Sequence, residues 1–324
     1  MGVKRLSWMI AAALVSFVVP ARAQPDPSAA LQRSTAQLAT FSFRDAAETY
    51  EKIARAASYA PAARKDAATN AANLRSMLGD RDAVRAMTTI ALQLQPTPAE
   101  AVALDYLIAN FDFRRWNATL TDHGDDPTAR ALALKSLDTF FGTHRRENIA
   151  MSRNVEAAAR IARIKRATGE AHERDWLDQT LATWKALAAV SRASADAAPF
   201  VDYAAEAEYR LIDQEINAHP PSIACSPSTY KQALLEVDGF DVKLGALVMR
   251  YRSATWVASA LARRGSLYET LRSTLSACSG PSFRLFTPKQ QATLAQQAVP
   301  IATLMGPAIA RPMGPGEEVE RPSS

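Results

Sequence analysis

The chain has 324 residues, 48% of them apolar and 22% charged, so it can build a sizeable core and is too hydrophobic for a disordered chain. It holds 65 alanines but only 12 glycines, about half the usual glycine share of roughly 7%. Alanine is the best helix former and glycine among the worst, so this balance points to an all-α fold and excludes barrels, sandwiches and Gly-rich nucleotide loops.

The formal charge is +5, which would suit an anionic partner, but part of it sits in the first segment. Lys4 and Arg5 precede a run from Leu6 to Val19 that is apolar except for two serines, followed by Pro20 and Ala21-Arg22-Ala23. That order is a charged n-region, a short h-region and a small-x-small cleavage site. The run is about 14 residues, where a spanning helix needs about 20. Residues 1–23 therefore predict a secretory signal cut after Ala23, with export to the periplasm or the outside. The remainder has 35 basic and 33 acidic residues, a net of +2. No later run is long and apolar enough to predict a transmembrane segment.

Residues 24–305 read as successive amphipathic helices with short breaks. The spacing predicts helices over 28–40, 44–58, 62–78, 81–94, 98–111, 113–122, 127–141, 147–168, 171–190, 194–217, 228–249, 253–276 and 288–303. Gly79-Asp80, Pro96-Thr97-Pro98, Gly124 to Pro127, Gly142, Gly169 and His219-Pro220-Pro221 punctuate them. Residues 306–324 carry Pro307, Pro312, Pro315 and Pro322 among three glycines, and are read as a disordered tail.

Short breaks between antiparallel helices imply an α-solenoid of stacked hairpins. The clearest unit runs from Arg64 to Pro96. Ala68, Ala71, Ala72, Leu74 and Leu78 mark one face of its first helix, Gly79 turns the chain, and Val84, Ile90, Ala91 and Leu94 mark the second helix. Ala72, Gly79, Val84, Ala91 and Pro96 fall at the offsets of a tetratricopeptide repeat, which the unit resembles. Ala68, Arg75 and Thr88 replace that family's larger anchors, so the repeat is degenerate. Leu261, Gly265 and Tyr268, the segment Asp45 to Ile53, and Gly169 with Trp176, Leu177, Leu181 and Trp184 look like further units. The order of Glu48 to Lys52, Leu78-Gly79-Asp80, Ala204 to Leu211 and Trp256 to Tyr268 also resembles long exported tetratricopeptide proteins of myxobacteria, some associated with gliding-motility machinery. The resemblance implies a groove lined by Asp66, Thr69, Asn73 and Ser76 that meets a protein or peptide partner.

Cys225 and Cys278 are the only cysteines. They lie symmetrically about the turn between the predicted helices 228–249 and 253–276, so both reach the open end of one hairpin, where Cα atoms can come within about 7 Å. In an exported protein that geometry predicts a structural disulfide closing a 53-residue loop, stabilising by about 4 kcal/mol on the chain-entropy model.

Motifs for chemistry are not found. None of His123, His144, His172 and His219 has a second histidine within five residues, and His172-Glu173 is followed by Trp176 where a zinc helix needs histidine. All four are read as surface or loop residues, and no metal or cofactor site is expected. Asp125-Asp126 precede Pro127 and are read as helix capping. Arg114-Arg115, Arg145-Arg146, Arg163 to Arg166 and Arg263-Arg264 are read as solvated helix faces. Aromatics are 7% and not interleaved with them, which argues against nucleic acid. Trp116, Trp176, Trp184 and Trp256 are read as packing anchors. These features favour a non-catalytic scaffold or adaptor in a cell-envelope assembly. The alternatives are an all-helical enzyme on an envelope polymer and a helical small-solute receptor.

Overall fold

The computed structural model describes residues 28–187, 198–221 and 227–277. The predicted signal, Cys225, Cys278, the predicted helix 288–303 and the 306–324 segment lie outside the described residues. Within them the chain is all-helical: α1 (Ser28–Ala39), α2 (Phe43–Arg55), α3 (Pro61–Met77), α4 (Arg81–Gln93), α5 (Pro98–His123), α6 (Pro127–His144), α7 (Met151–Ala167), α8 (Glu173–Ala186), α9 (Ala198–Ala218), α10 (Pro227–Arg250) and α11 (Ala254–Ala277). A 3-10 turn, Asn148–Ala150, leads into α7.

Helix starts follow from the sequence. Proline stands at the first turn of α3, α5 and α6, where a missing N–H costs nothing. Thr97 and Glu100 form a reciprocal capping box on α5. Asp80 accepts a bond from Ala83 N, and Asp126 from Thr128 N and Ala129 N, so Asp126 caps α6 as expected. Its neighbour Asp125 instead accepts from Trp116 Nε1 at 3.1 Å and pairs with Arg130.

Gly79 and Gly169 end α3 and α7 in the same way. Both have positive φ, +78° and +64°. In both, the next amide reaches back five residues, Asp80 N to Arg75 O at 3.0 Å and Glu170 N to Lys165 O at 2.9 Å. This is the closure that a left-handed C-terminal residue permits.

Each helix packs on its chain neighbour, and α3, α5, α7, α9 and α11 also touch one another in succession, giving a helical repeat-like architecture. Small residues let the first helices approach closely: Ala46, Ala47, Ala54, Ala67, Ala68, Ala71 and Ala72 are all buried between α2, α3 and α4. Three cores follow one another. The first spans α2 to the start of α5, the second α5 to α7, and the third α7 to α11. Helix α5 serves the first two and α7 the last two.

Two readings are corrected. The predicted break between 111 and 113 does not exist, because α5 runs unbroken through Asp112. That carboxylate is buried and takes two bonds from Arg81 and one from Ser136 of α6, so an apparent polar interruption is a tertiary contact. His144 is also not a surface residue. It is buried, with Nδ1 2.9 Å from Glu147 and Nε2 3.0 Å from Asp105.

Candidate functional site

The densest polar feature lies where α7 meets α9. Residues 156, 160 and 163 of α7 share one face by helical spacing, as do 203, 206, 210 and 213 of α9. Glu156 receives Tyr203 Oη at 2.8 Å and Arg160 Nη2 at 2.6 Å. Arg160 also donates to Asn110 of α5 at 2.7 Å and lies over the Phe113 ring, 4.5 Å from its centroid. The buried Tyr106 hydroxyl faces Glu156 without a well-formed hydrogen bond, and burial pushes its pKa well above the usual value.

Further along, Glu206 is buried and clamped by Arg163, with Nη2 at 2.5 Å and Nε at 2.9 Å. Arg166 reaches the other carboxylate oxygen at 3.4 Å. Burial alone would raise the Glu206 pKa, but Arg163, Arg166 and Arg210 outweigh it and hold the carboxyl below its ordinary value. The expected solvated face around 163–166 is therefore partly an interface.

Positive charge is in excess here. Burial and the neighbouring Arg210 together hold the Arg166 guanidinium below its ordinary value. Arg210 has no carboxylate within ion-pair distance among the described residues. It lies over Tyr209 and Trp256 instead, 5.8 and 5.4 Å from their centroids, with its Nε buried and without an acceptor. Glu173 at the start of α8 accepts from Gln214 at 2.8 Å, but its other oxygen is unpartnered and burial raises its pKa despite Arg166 and Arg210. The seam continues to α11, where Arg263 pairs with Asp213 and donates to Asn217.

Arginine excess and flat aromatic rings suit a carboxylate group. Among the described residues no group of three histidine, cysteine or acidic side chains is placed to hold a metal. Two concavities flank the far side of α9 and its C-terminal end, about 330 and 200 Å³. The larger contains Glu208 and Glu215, already paired with Arg250 and Lys243.

The sequence-derived groove residues sit on one side of α3. Asp66 and Asn73 are exposed and Thr69 and Ser76 half-buried, and Thr69 spends its hydroxyl on the Lys65 carbonyl. Counted back from the turn glycine, the same four offsets on α7 are Glu156, Ala159, Arg163 and Arg166. The equivalence of the Gly79 and Gly169 turns was the signal that could have extended the stripe to α7. Arg210 and Glu206 carry no such signal, because α9 lacks a turn glycine to count from. No protein-family model matches the chain, and no curated protein gives a significant match.

Proposed function

We propose that the protein is an exported, non-catalytic, TPR-like α-solenoid scaffold or adaptor in a bacterial envelope assembly, and that it holds an acidic segment of a protein partner along its odd-numbered helices. One observation carries the reading: Arg163 and Arg166 share Glu206, and the neighbouring Arg210 is left against two aromatic rings without an ion-pair partner among the described residues. A carboxylate arriving at Arg166 and Arg210 would relieve their mutual repulsion and gain charge-assisted hydrogen bonds. Asp66, Thr69, Asn73 and Ser76 form the α3 end of the same proposed face, where polar contacts hold the partner's backbone.

Crosslinking and mass spectrometry on the native exported protein test this. Replacing Arg166 and Arg210 together by alanine should lower partner capture at least about tenfold and remove most of its salt sensitivity. Replacing Thr69 and Asn73 by alanine should weaken capture further, with helicity unchanged in both. Undiminished capture by the arginine variant would overturn the reading.

A further inference from the structure

Helix α10 has two apolar faces, and only one is used among the described residues. Ala233, Val237, Phe240, Leu244 and Leu247 are buried against the neighbouring helices. On the opposite side Leu235, Val242 and Met249 recur at seven-residue spacing and are 67%, 70% and 86% exposed. Gly239 and Ala246 lie between them, also exposed. The stripe is thus large, small, large, small, large, about 21 Å long at 1.5 Å per residue.

Gly239 adds an independent observation. A glycine in mid-helix costs about 1 kcal/mol relative to alanine. Here no described residue lies within 4 Å of where a Cβ would stand, so packing among the described residues does not call for it. A glycine on an open helix face is what a second backbone approaching closely would require.

We propose that this stripe is the two-fold interface of a homodimer in which α10 packs antiparallel against α10 of a second copy. The stripe is nearly palindromic about Val242, as an isologous contact demands. The antiparallel sense places Val242 beside its own copy, Leu235 beside the second copy's Met249, and the small residues where the backbones cross. Charge selects the same sense. Glu236, Lys243 and Arg250 line one flank at heptad spacing. Antiparallel two-fold packing sets this flank against itself and brings Glu236 toward Arg250 of the other copy at both ends, whereas parallel packing would turn the two charged flanks away from each other. Among the described residues Glu236 is held only by the Gln232 amide at 2.9 Å, and Arg250, paired with Glu208 at 2.6 Å, is still about half-exposed. Lys243, close to the axis, is already neutralised by Glu215. One helix pair buries less than a standard interface, so the dimer should dissociate in the micromolar range.

Sedimentation of the full chain across a dilution series should give a reversible monomer–dimer equilibrium. Val242→Glu should raise its dissociation constant at least about tenfold with unchanged helicity. Under mild oxidation Val242→Cys should crosslink to itself above the wild-type level. Leu235→Cys should not, but should crosslink when mixed with Met249→Cys. A wild-type chain that stays monomeric at high micromolar concentration overturns the proposal, as when another segment of the chain covers the stripe. Self-crosslinking of Leu235→Cys overturns the antiparallel arrangement, and an unaffected Val242→Glu dimer overturns the surface.

Discussion

Single polar atoms decide much of the local energetics. Thr88 of α4 is buried and has a hydroxyl without a partner among the described residues. Thr88→Val keeps the shape and removes the orphan, so it should stabilise by about 1 kcal/mol in urea unfolding. Asp112 is the opposite case. Asp112→Ala strands Arg81 beside a buried site and should destabilise by about 3 kcal/mol by the same measurement. Acid sensitivity belongs to this scale too. Hydrogen bonds from Lys65 and then the Thr97 amide and hydroxyl pull Glu100 from 4.5 to about 2. A carboxyl depressed on folding contributes stability above its unfolded pKa, and that contribution is lost as pH falls toward the folded one. Stability should therefore drop between about pH 4.5 and 2, and Glu100→Gln should flatten that limb in pH-dependent thermal melts. Glu173 has the reverse sign, since its pKa is raised by burial. Its contribution is full below the unfolded value and lost as pH rises through the folded one, so Glu173→Gln should be neutral or mildly stabilising at pH 7.

Element boundaries were legible where proline, glycine and capping side chains announce them, as at Thr97-Pro98, Asp126-Pro127 and Gly79. They were not legible at Asp112, because a buried carboxylate looks like a surface break until Arg81 and Ser136 are known to face it. The α7–α9 seam was hidden for a related reason: Glu206 lies 43 residues from Arg163, and helical spacing cannot say which of 33 acidic residues meets a given arginine. The turn glycines give an ordered test at this scale. A Cβ at Gly79, Gly124 or Gly169 would meet nothing within 4 Å, so any cost is backbone strain alone. Gly79 and Gly169 are positive-φ helix ends, where alanine costs about 1 kcal/mol. Gly124, at φ 87° and ψ −173°, occupies a region open essentially to glycine, so Gly124→Ala should cost more, about 2–3 kcal/mol. Chemical denaturation of the three variants checks the order.

Across the molecule, three cores joined through α5 and α7 imply that perturbations stay local. Each core exchanges contacts mainly with the next, as in repeat-like chains. Ala71→Leu overpacks the first core, which has no room at its α2–α3 crossing. Hydrogen exchange in that variant should accelerate over residues 43–93 and change little over 200–277. Equal acceleration throughout would mean that the cores unfold as one unit.

Helix α7 carries one more consequence, concerning tolerance to sequence change. Every residue from Asn154 to Ala162 is buried, which an amphipathic helix with a solvent face never shows. Its apolar side chains fill two cores, and its polar ones are committed to α5, α6 and α9. A residue there cannot drift without disturbing at least one neighbour. In a saturation-mutagenesis scan read out by folded yield, 154–164 should be the least permissive stretch of the described chain. Alanines 157 and 158 should be as intolerant as Ile161, because the smallest side chains here occupy the tightest places.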